Sequence, residues 1–377
     1  MDIDIQNPIP LYRQVAENLK SEIVSGNLKA GDQIGSQQEL AEKYQVSLIT
    51  VKRAIVELTN EGFLYSRVGK GTYVLGPQTP KEDAKTKTVG LVLRDLKSPF
   101  FSMIVHGAEE YASQKGFSIL VSNSSSQVEK EELQIANFVE AGVSGMIIAS
   151  MSHEYTANNP LRKLHSTGFP YIVVSYIKDP DIFFVGTDHE QGGYLAAQHL
   201  IRIGHRKIGF INGEEGNLVG ELRKLGFARA LQEHSLEFPN DRMYRLRKRG
   251  EWNDFNSGYE IGEKFSALTD RPKAMFVYND LAALGFSQAV LDKGLSIPDD
   301  VAVVGFDGIE RGQYAQVPLT TIEQPVGEIG AKAVENLLKR INHIETPVRT
   351  ILSPSLIVRE SCGAKGKTRT ELNAIDA

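Results

Sequence analysis

The 377-residue chain has a single cysteine, Cys362, so no internal disulfide can brace it and a disulfide-stapled secreted scaffold is excluded. It has no run of about 18 apolar residues, and its opening stretch MDIDIQNPIPLYRQ lacks the apolar core of a signal peptide. Export and membrane spanning are therefore not expected, and the cytoplasm is the expected compartment. The composition also lacks the bias of disordered or collagen-like chains: 41% apolar and 24% charged residues can fill real cores. At roughly 100–200 residues per domain, the length predicts two or three globular units. Positive charge is scarce as well, 42 Lys+Arg against 47 Asp+Glu. A net charge of −5 disfavours a protein coated uniformly with nucleic-acid contacts but leaves room for a local patch.

Enzyme chemistry is missing too. No G-x-S-x-G occurs, and residues Gly209 to Gly216 lack a full dinucleotide fingerprint. His199 and His205 stand six positions apart without a Cys or acidic ligand pattern, so they read as core or helix-end histidines rather than metal ligands. No catalytic residue, metal or cofactor is expected.

The clearest break in the pattern is residues 76–88, with Pro77, Pro80, alternating charge and no apolar periodicity, which reads as a solvated linker. Before it, residues 1–75 carry 8 basic and 9 acidic groups, divided unevenly: residues 43–75 have five basic groups against two acidic. Val15, Leu19 and Ile23 mark one helix face that stops at Gly26. Ser36-Gln37-Gln38-Glu39 is a capping box opening a short second helix that ends near Tyr44. Ser47 can cap a third helix whose Val51, Ala54, Ile55 and Leu58 share a face, with Gly62 at its stop. Two β-rich runs, 63–66 and 72–75, flank Gly69-Lys70-Gly71 as a hairpin. Three helices and a hairpin make a winged helix-turn-helix of α+β type.

Such a motif offers the start of its second helix to the major groove while Lys and Arg neutralise phosphates. The predicted reading surface is Ser36, Gln37, Ser47, Leu48, Ile49, Thr50, Lys52 and Arg53, with Lys70 and Gly71 at the hairpin turn. Taken on charge alone, Lys52 and Arg53 read first as a solvated helix face and the hairpin as a simple turn. Their setting decides: Pro10 to Val15, Gly26 to Ile34, Glu39-Leu40-Ala41, Val46-Ser47, Thr50 to Ala54, Glu61-Gly62 and Gly69 to Val74 together resemble the GntR-family DNA-binding domain. Gly35-Ser36-Gln37 stands where that family usually has Pro-Ser-Glu, and Leu48 where it usually has an Arg. By the resemblance that Arg contacts DNA, so Leu48 is expected to shift the operator away from the usual half-site, with a thymine methyl as one partner.

After the linker, short β-branched runs at 89–93, 117–121, 145–149, 171–174, 207–211, 274–278 and 301–305 alternate with helical stretches such as 192–203 and 281–293. This implies an α/β architecture of doubly wound parallel sheets in two lobes, with a ligand cleft between them at the carboxyl ends of strands. Residues placed there are Ser98, Phe100, Phe101, Arg223, Asn279 and Asp307. Aromatic rings stack on sugar faces and planar polar groups bond hydroxyls, although taken alone the two Phe residues read first as core rings, Arg223 as a surface charge, and Asn279-Asp280 and Asp307 as helix caps; their joint position after successive strands tilts the balance. Val89 to Val92, Gly142 to Ile148, Val185 to Asp188, Gly204 to Ile211, Asn279 to Gly285, Ile297 to Val301, Val304 to Asp307, Leu319 to Ile322 and Leu356 to Ser361 together resemble the LacI/GalR sensor, a periplasmic-binding-protein-like domain. That resemblance implies Phe100 and Phe101 against a sugar ring, Arg223, Asn279 and Asp307 on its hydroxyls, and Gln324 on the hinge side. Asn253 occupies a slot that is often aromatic, so Trp252 or Phe255 is expected to substitute.

The expected organisation is a reader over 1–75, a linker over 76–88, a sensor over 89–362 and a flexible tail over 363–377. A GntR reader on a LacI/GalR sensor is the hybrid architecture of the arabinose-repressor family. It implies a homodimeric repressor of carbohydrate-use genes, bound to double-stranded operator DNA and released by a small sugar, first of all an arabinose-like pentose. The alternatives are an activator or co-repressed regulator, a sugar-binding transport protein, which would need a signal peptide and no residues 10–75, and a sugar-modifying enzyme.

Overall fold

Helix faces and β-branched runs of the sequence fold into two separate units, Met1–Ala84 and Lys85–Ala377, in a computed structural model of the chain. The structure describes residues 9–60, 62–67, 71–75, 86–149, 155–174, 176–238, 240–247 and 254–364.

In the first unit, α1 (Leu11–Val24) buries Val15, Leu19 and Ile23, and the chain turns away at Gly26, φ +78°. α2 (Gln37–Tyr44) opens on the expected capping box: Ser36 Oγ accepts the Glu39 N–H at 3.2 Å while Glu39 Oε2 accepts the Ser36 N–H at 2.7 Å. A left-handed Gln45 makes the turn to α3 (Leu48–Asn60), which Ser47 caps by accepting the Thr50 N–H at 3.2 Å. Val51, Ala54, Ile55 and Leu58 of α3 close the core against α1. The hairpin pairs β1 (Leu64–Arg67) with β2 (Gly71–Val74), each one residue away from its expected span. The inward pair, Leu64 opposite Val74, sets that register, because both are buried while Phe63 packs at the rim of the core.

In the second unit, the chain first lays down five parallel strands of one sheet: β3 (Thr86–Leu93), β4 (Ser118–Asn123), β5 (Val143–Ile148), β6 (Tyr171–Val173) and β7 (Phe184–Thr187). Helices α4 (Pro99–Gln114), α5 (Val128–Glu140) and α6 (Asn159–Ser166) connect them. The chain then crosses to a second sheet through α7 (His189–Arg202), β8 (Ile208–Asn212), α8 (Leu218–Glu233), β9 (Met243–Arg245), α9 (Asp254–Ser266), β10 (Ala274–Val277), α10 (Asp280–Asp292), β11 (Ala302–Asp307) and β12 (Thr320–Glu323). It returns through α11 (Val326–Ile341) and β13 (Arg349–Leu352) to the first sheet, and ends with β14 (Ser355–Ile357) in the second. The sheet orders are β13-β7-β6-β5-β3-β4 and β14-β12-β11-β10-β8-β9, with only β14 antiparallel. Three segments therefore join the two lobes, at Asp188, at Gln324-Pro325 and at Ser353-Pro354.

Two expected boundaries shift. β3 starts at Thr86, inside the span assigned to the linker, because the β-branched Thr86 and Thr88 extend the ladder to Val143 and Ser118. Ala364, assigned to the tail, is buried with Cys362 against the second lobe's core. Helices pack by glycine contact: an added Cβ at Gly193 of α7 would collide with the carbonyl oxygen of Arg223 in α8, and one at Gly226 of α8 with that of Glu190. The same reciprocal arrangement joins α4 to α11 through Gly107 and Gly330, and α9 to α10 through Gly258 and Gly285.

Candidate functional site

Each unit gathers residues singled out in the sequence on a surface open to solvent. In the first, Ser36 and Gln37 stand exposed at the start of α2, and Ser47, Leu48, Ile49, Lys52 and Arg53 stand exposed along the start of α3. Thr50 is half-buried, and its hydroxyl lies 2.8 Å from Ser47 Oγ. Arg53 rests its guanidinium 5.5 Å from the ring centre of Tyr12. Helix-turn-helix packing places these residues on one side because the opposite face of α3 is committed to the core. Gly71 takes φ +109°, where a side chain would be strained and would also meet Gln33. Lys70 lies outside the described residues.

In the second unit the carboxyl ends of the strands in both sheets face a cleft of about 800 Å³, within the range of small-molecule sites. Ser98, Phe100, Phe101, Arg223, Asn279, Asp307 and Gln324 all line it. Trp252 and Asn253 lie outside the described residues, and Phe255 packs against the second lobe's core instead of lining the cleft. The first lobe presents Phe100 and Phe101 edge to face, ring centres 5.2 Å apart, on the first turn of α4. The second lobe presents Arg223, Asn279 and Asp307.

Arg223 organises that side. Its side chain is 4% exposed, and its guanidinium stacks 3.6 Å from the ring centre of Phe306 and 4.7 Å from that of Tyr278. Nη1 donates to the Tyr278 carbonyl, and Nη2 lies 3.6 Å from Asp307 Oδ1. Asp307 also accepts a hydrogen bond from Gln324 Nε2. Its backbone has φ +121°, a conformation costing an L-residue on the order of 1–3 kcal/mol, held from behind by Asp280. Fully buried Asp280 accepts hydrogen bonds from Thr321 Oγ1 at 2.6 Å and from the Ile309 N–H at 2.9 Å. Burial, and then the charge of Asp307, push the Asp280 carboxyl up to about 8. Asn279 does two jobs: its Oδ1 caps α10 through the Ala282 N–H at 2.9 Å, and its Nδ2 donates to Asp254 Oδ2 at 2.7 Å in the cleft wall.

Several lining residues fell outside the expected set: Arg94, Tyr155, Tyr176, His189, Asp254 and Tyr278. Tyr176, His189 and Tyr278 each follow the end of a strand, the same signal that located Asn279. Tyr155 and Asp254 follow no strand directly, and only the fold brings them in. His189 is held neutral, its basicity well below the ordinary imidazole value because of burial and the neighbouring Arg223 charge. Two buried polar atoms of the wall, Arg223 Nε and Thr187 Oγ1, have no hydrogen-bond partner among the described residues. No group of three His, Cys, Asp or Glu suited to a metal ion occurs among the described residues. No helix among them is long and apolar enough to cross a membrane.

Residues 11–74 match the model of bacterial regulatory proteins of the gntR family, and residues 197–362 that of the periplasmic binding protein-like domain. An arabinose metabolism transcriptional repressor from Geobacillus stearothermophilus is 33% identical over 94% of this chain and 98% of its own length. A LacI family transcriptional regulator from Enterococcus faecium, solved with bound ribose, is 29% identical over 73% of this chain and 98% of its own, with a TM-score of 0.63. A transcriptional regulator CelR-cellobiose complex covers 94% of this chain and 100% of its own at 25% identity and a TM-score of 0.65. With a winged helix-turn-helix of the gntR type, a two-lobed cleft and a full-length relative, this chain belongs to the family of sugar-responsive transcriptional repressors that join a GntR reader to a periplasmic-binding-protein-like sensor, and is a DNA-binding regulator, not an enzyme.

Proposed function

We propose that the protein is a homodimeric repressor of carbohydrate-use genes that leaves its operator when a neutral monosaccharide, an arabinose-like pentose first of all, occupies the cleft. The observation that carries the reading is the polar array of Arg223, Asp307, Gln324 and Asn279 facing Phe100 and Phe101 across the cleft. Rings suit the apolar faces of a sugar, while a guanidinium, a carboxylate and two amides suit its hydroxyls. Arg223 Nε and Thr187 Oγ1 are buried groups that a hydroxylated ligand can satisfy. Charge argues against a sugar phosphate: the lining holds Glu214, Glu215, Asp254 and Asp307 against Arg94 and Arg223.

Release follows from the connections between lobes. His189 and Gln324 line the cleft and stand at or beside two of the three crossing segments, so closure of the lobes on a ligand changes the geometry at the crossings. In a dimer that change alters how two winged helices meet half-sites about one helical turn apart. A ligand that favours the non-DNA geometry by about 100-fold weakens operator affinity by a similar factor, about 2.7 kcal/mol. The full-length protein on operator DNA selected from a random pool, titrated with pentoses, hexoses and their phosphates, tests the reading by fluorescence anisotropy. Loss of anisotropy with a neutral sugar is expected; tighter binding would make the protein a co-repressed regulator, and a response to phosphates alone would overturn the neutral-ligand assignment.

A further inference from the structure

Leu48 and Ile49 open α3 with side chains 51% and 75% exposed, although the helix fills its core with Val51, Ala54, Ile55 and Leu58. Two adjacent aliphatic side chains left in water at the start of a reading helix call for an apolar partner. The polar side chains that flank them are turned to each other, Ser47 Oγ both 2.8 Å from Thr50 Oγ1 and accepting the Thr50 N–H. Just beyond stand Lys52, which has no ion pair among the described residues, and Arg53, both exposed and suited to phosphates. The patch is thus apolar at the helix start and cationic beside it, which matches a duplex groove better than an apolar protein surface. On the major-groove edges of the four base pairs the one apolar group is the C5-methyl of thymine.

We infer that Leu48 and Ile49 are specificity-determining residues that read thymine methyl groups, so each operator half-site carries T·A pairs beneath the start of α3. The inference rests on the operator-binding reading above and adds the chemistry of the bases read. A guanine at these positions would offer only nitrogen and oxygen acceptors to two side chains that cannot donate.

The full-length protein is used to select duplexes from a random pool, and each thymine of the enriched site is then replaced in turn by deoxyuridine, which removes the methyl and nothing else. At one or two positions per half-site, affinity should fall about fourfold for each methyl lost, equivalent to about 0.8 kcal/mol. In the double variant Leu48→Ala/Ile49→Ala the same replacements should change nothing, and because both residues are exposed the variant should melt like the parent. A second variant, Leu48→Arg, should on reselection enrich guanine where the parent enriches thymine. Equal binding of thymine and uracil duplexes by the parent, or a thymine preference that survives in the double variant, overturns the inference while leaving operator binding intact. A double variant that changes oligomeric state and not thymine discrimination makes the patch a protein contact and also overturns it. Failure to enrich any sequence removes the operator-binding reading, and this inference with it.

Discussion

Gln324 Nε2 donates to Asp307 Oδ1 at 2.8 Å, tying the segment that crosses between the lobes to the residue that ends the central strand β11. The same oxygen lies 3.6 Å from Arg223 Nη2, so one carboxylate oxygen links the crossing, the cleft wall and the buried guanidinium. Asp307→Ala should keep operator binding and lose release by sugar. Because it strips the counter-ion from a guanidinium that is 4% exposed, it should also cost stability, about 3 kcal/mol by analogy with broken buried pairs. Anisotropy titrations with and without sugar, beside a urea melt, separate the two effects. A folded variant that has lost operator binding would contradict the assignment of Asp307 to the sensor.

Three enclosed titratable groups give the stability of the second unit a defined pH profile. His199 is pushed down to about 4, by burial first and then by His205 and Arg202, and His189 lies well below 6.5. In the unfolded chain both bind protons below about 6.5, so their contribution is present above that pH and lost as pH falls toward 4. For His199 alone this is on the order of 3 kcal/mol. Asp280 works oppositely. With its folded value raised from 3.8 to about 8, its contribution is complete below 3.8 and lost as pH rises through 8. From 4 to 6.5 two histidines outweigh one carboxyl and stability climbs; from 6.5 to 8 only Asp280 remains and stability declines. Urea midpoints across pH 4 to 9 should peak near 6.5, with His199→Gln flattening the acid limb and Asp280→Asn the alkaline one. A steady rise from 6.5 to 8 would refute the Asp280 contribution.

How far the sequence foretold this arrangement differs by element. The α3 face and the Ser36 to Glu39 box were legible because local periodicity and capping are sufficient causes of a helix. The seven β-branched runs announced β3, β4, β5, β6, β8, β10 and β11, whereas β7, β9, β12, β13 and β14 lie outside those runs. Their existence depends on neighbours already in the sheet: β14 is held by Thr321, Ile322 and Glu323 of β12. In the cleft, residues directly after strands could be found by position, as Asn279 and Asp307 were. Asp254 could not, since it begins a helix and follows no strand, and in the wall it accepts a hydrogen bond from Asn279 Nδ2. Asn279 read equally well as a helix cap and is one, whereas the clamp of Asp280 on the Ile309 N–H appears only when β12 brings Thr321 alongside.

Lys52→Ala tests the reading helix independently of base readout. A lysine on a phosphate contributes the same energy whatever the sequence beneath it, so the variant should weaken selected and random DNA alike and lower the slope of log affinity against log salt by about one. Sugar affinity, measured calorimetrically on the same preparation, should not move. An unchanged salt slope would mean that Lys52 faces solvent in the complex.

Gly193→Ala asks whether the glycine contact between α7 and α8 is what holds Arg223 in place. The new methyl would meet the carbonyl oxygen of Arg223 itself, a backbone atom inside a helix that cannot rotate aside, and on α8 the reciprocal contact at Gly226 is equally tight. The two helices must therefore separate by part of a methyl diameter, costing about 1–3 kcal/mol as an overpacked core does. Separation carries the Arg223 guanidinium off Phe306, where it stacks at 3.6 Å, and away from the Tyr278 carbonyl. Sugar affinity should fall in consequence, while the winged helix, a separate unit, keeps its affinity for operator DNA. Gly327→Ala, where an added Cβ meets nothing within 4 Å, is the matched control and should change neither quantity. Urea midpoints and calorimetric titration of both variants decide the point: if Gly193→Ala binds sugar as the parent does despite a lowered midpoint, the position of Arg223 is set by Phe306 and Tyr278 and not by the approach of α7.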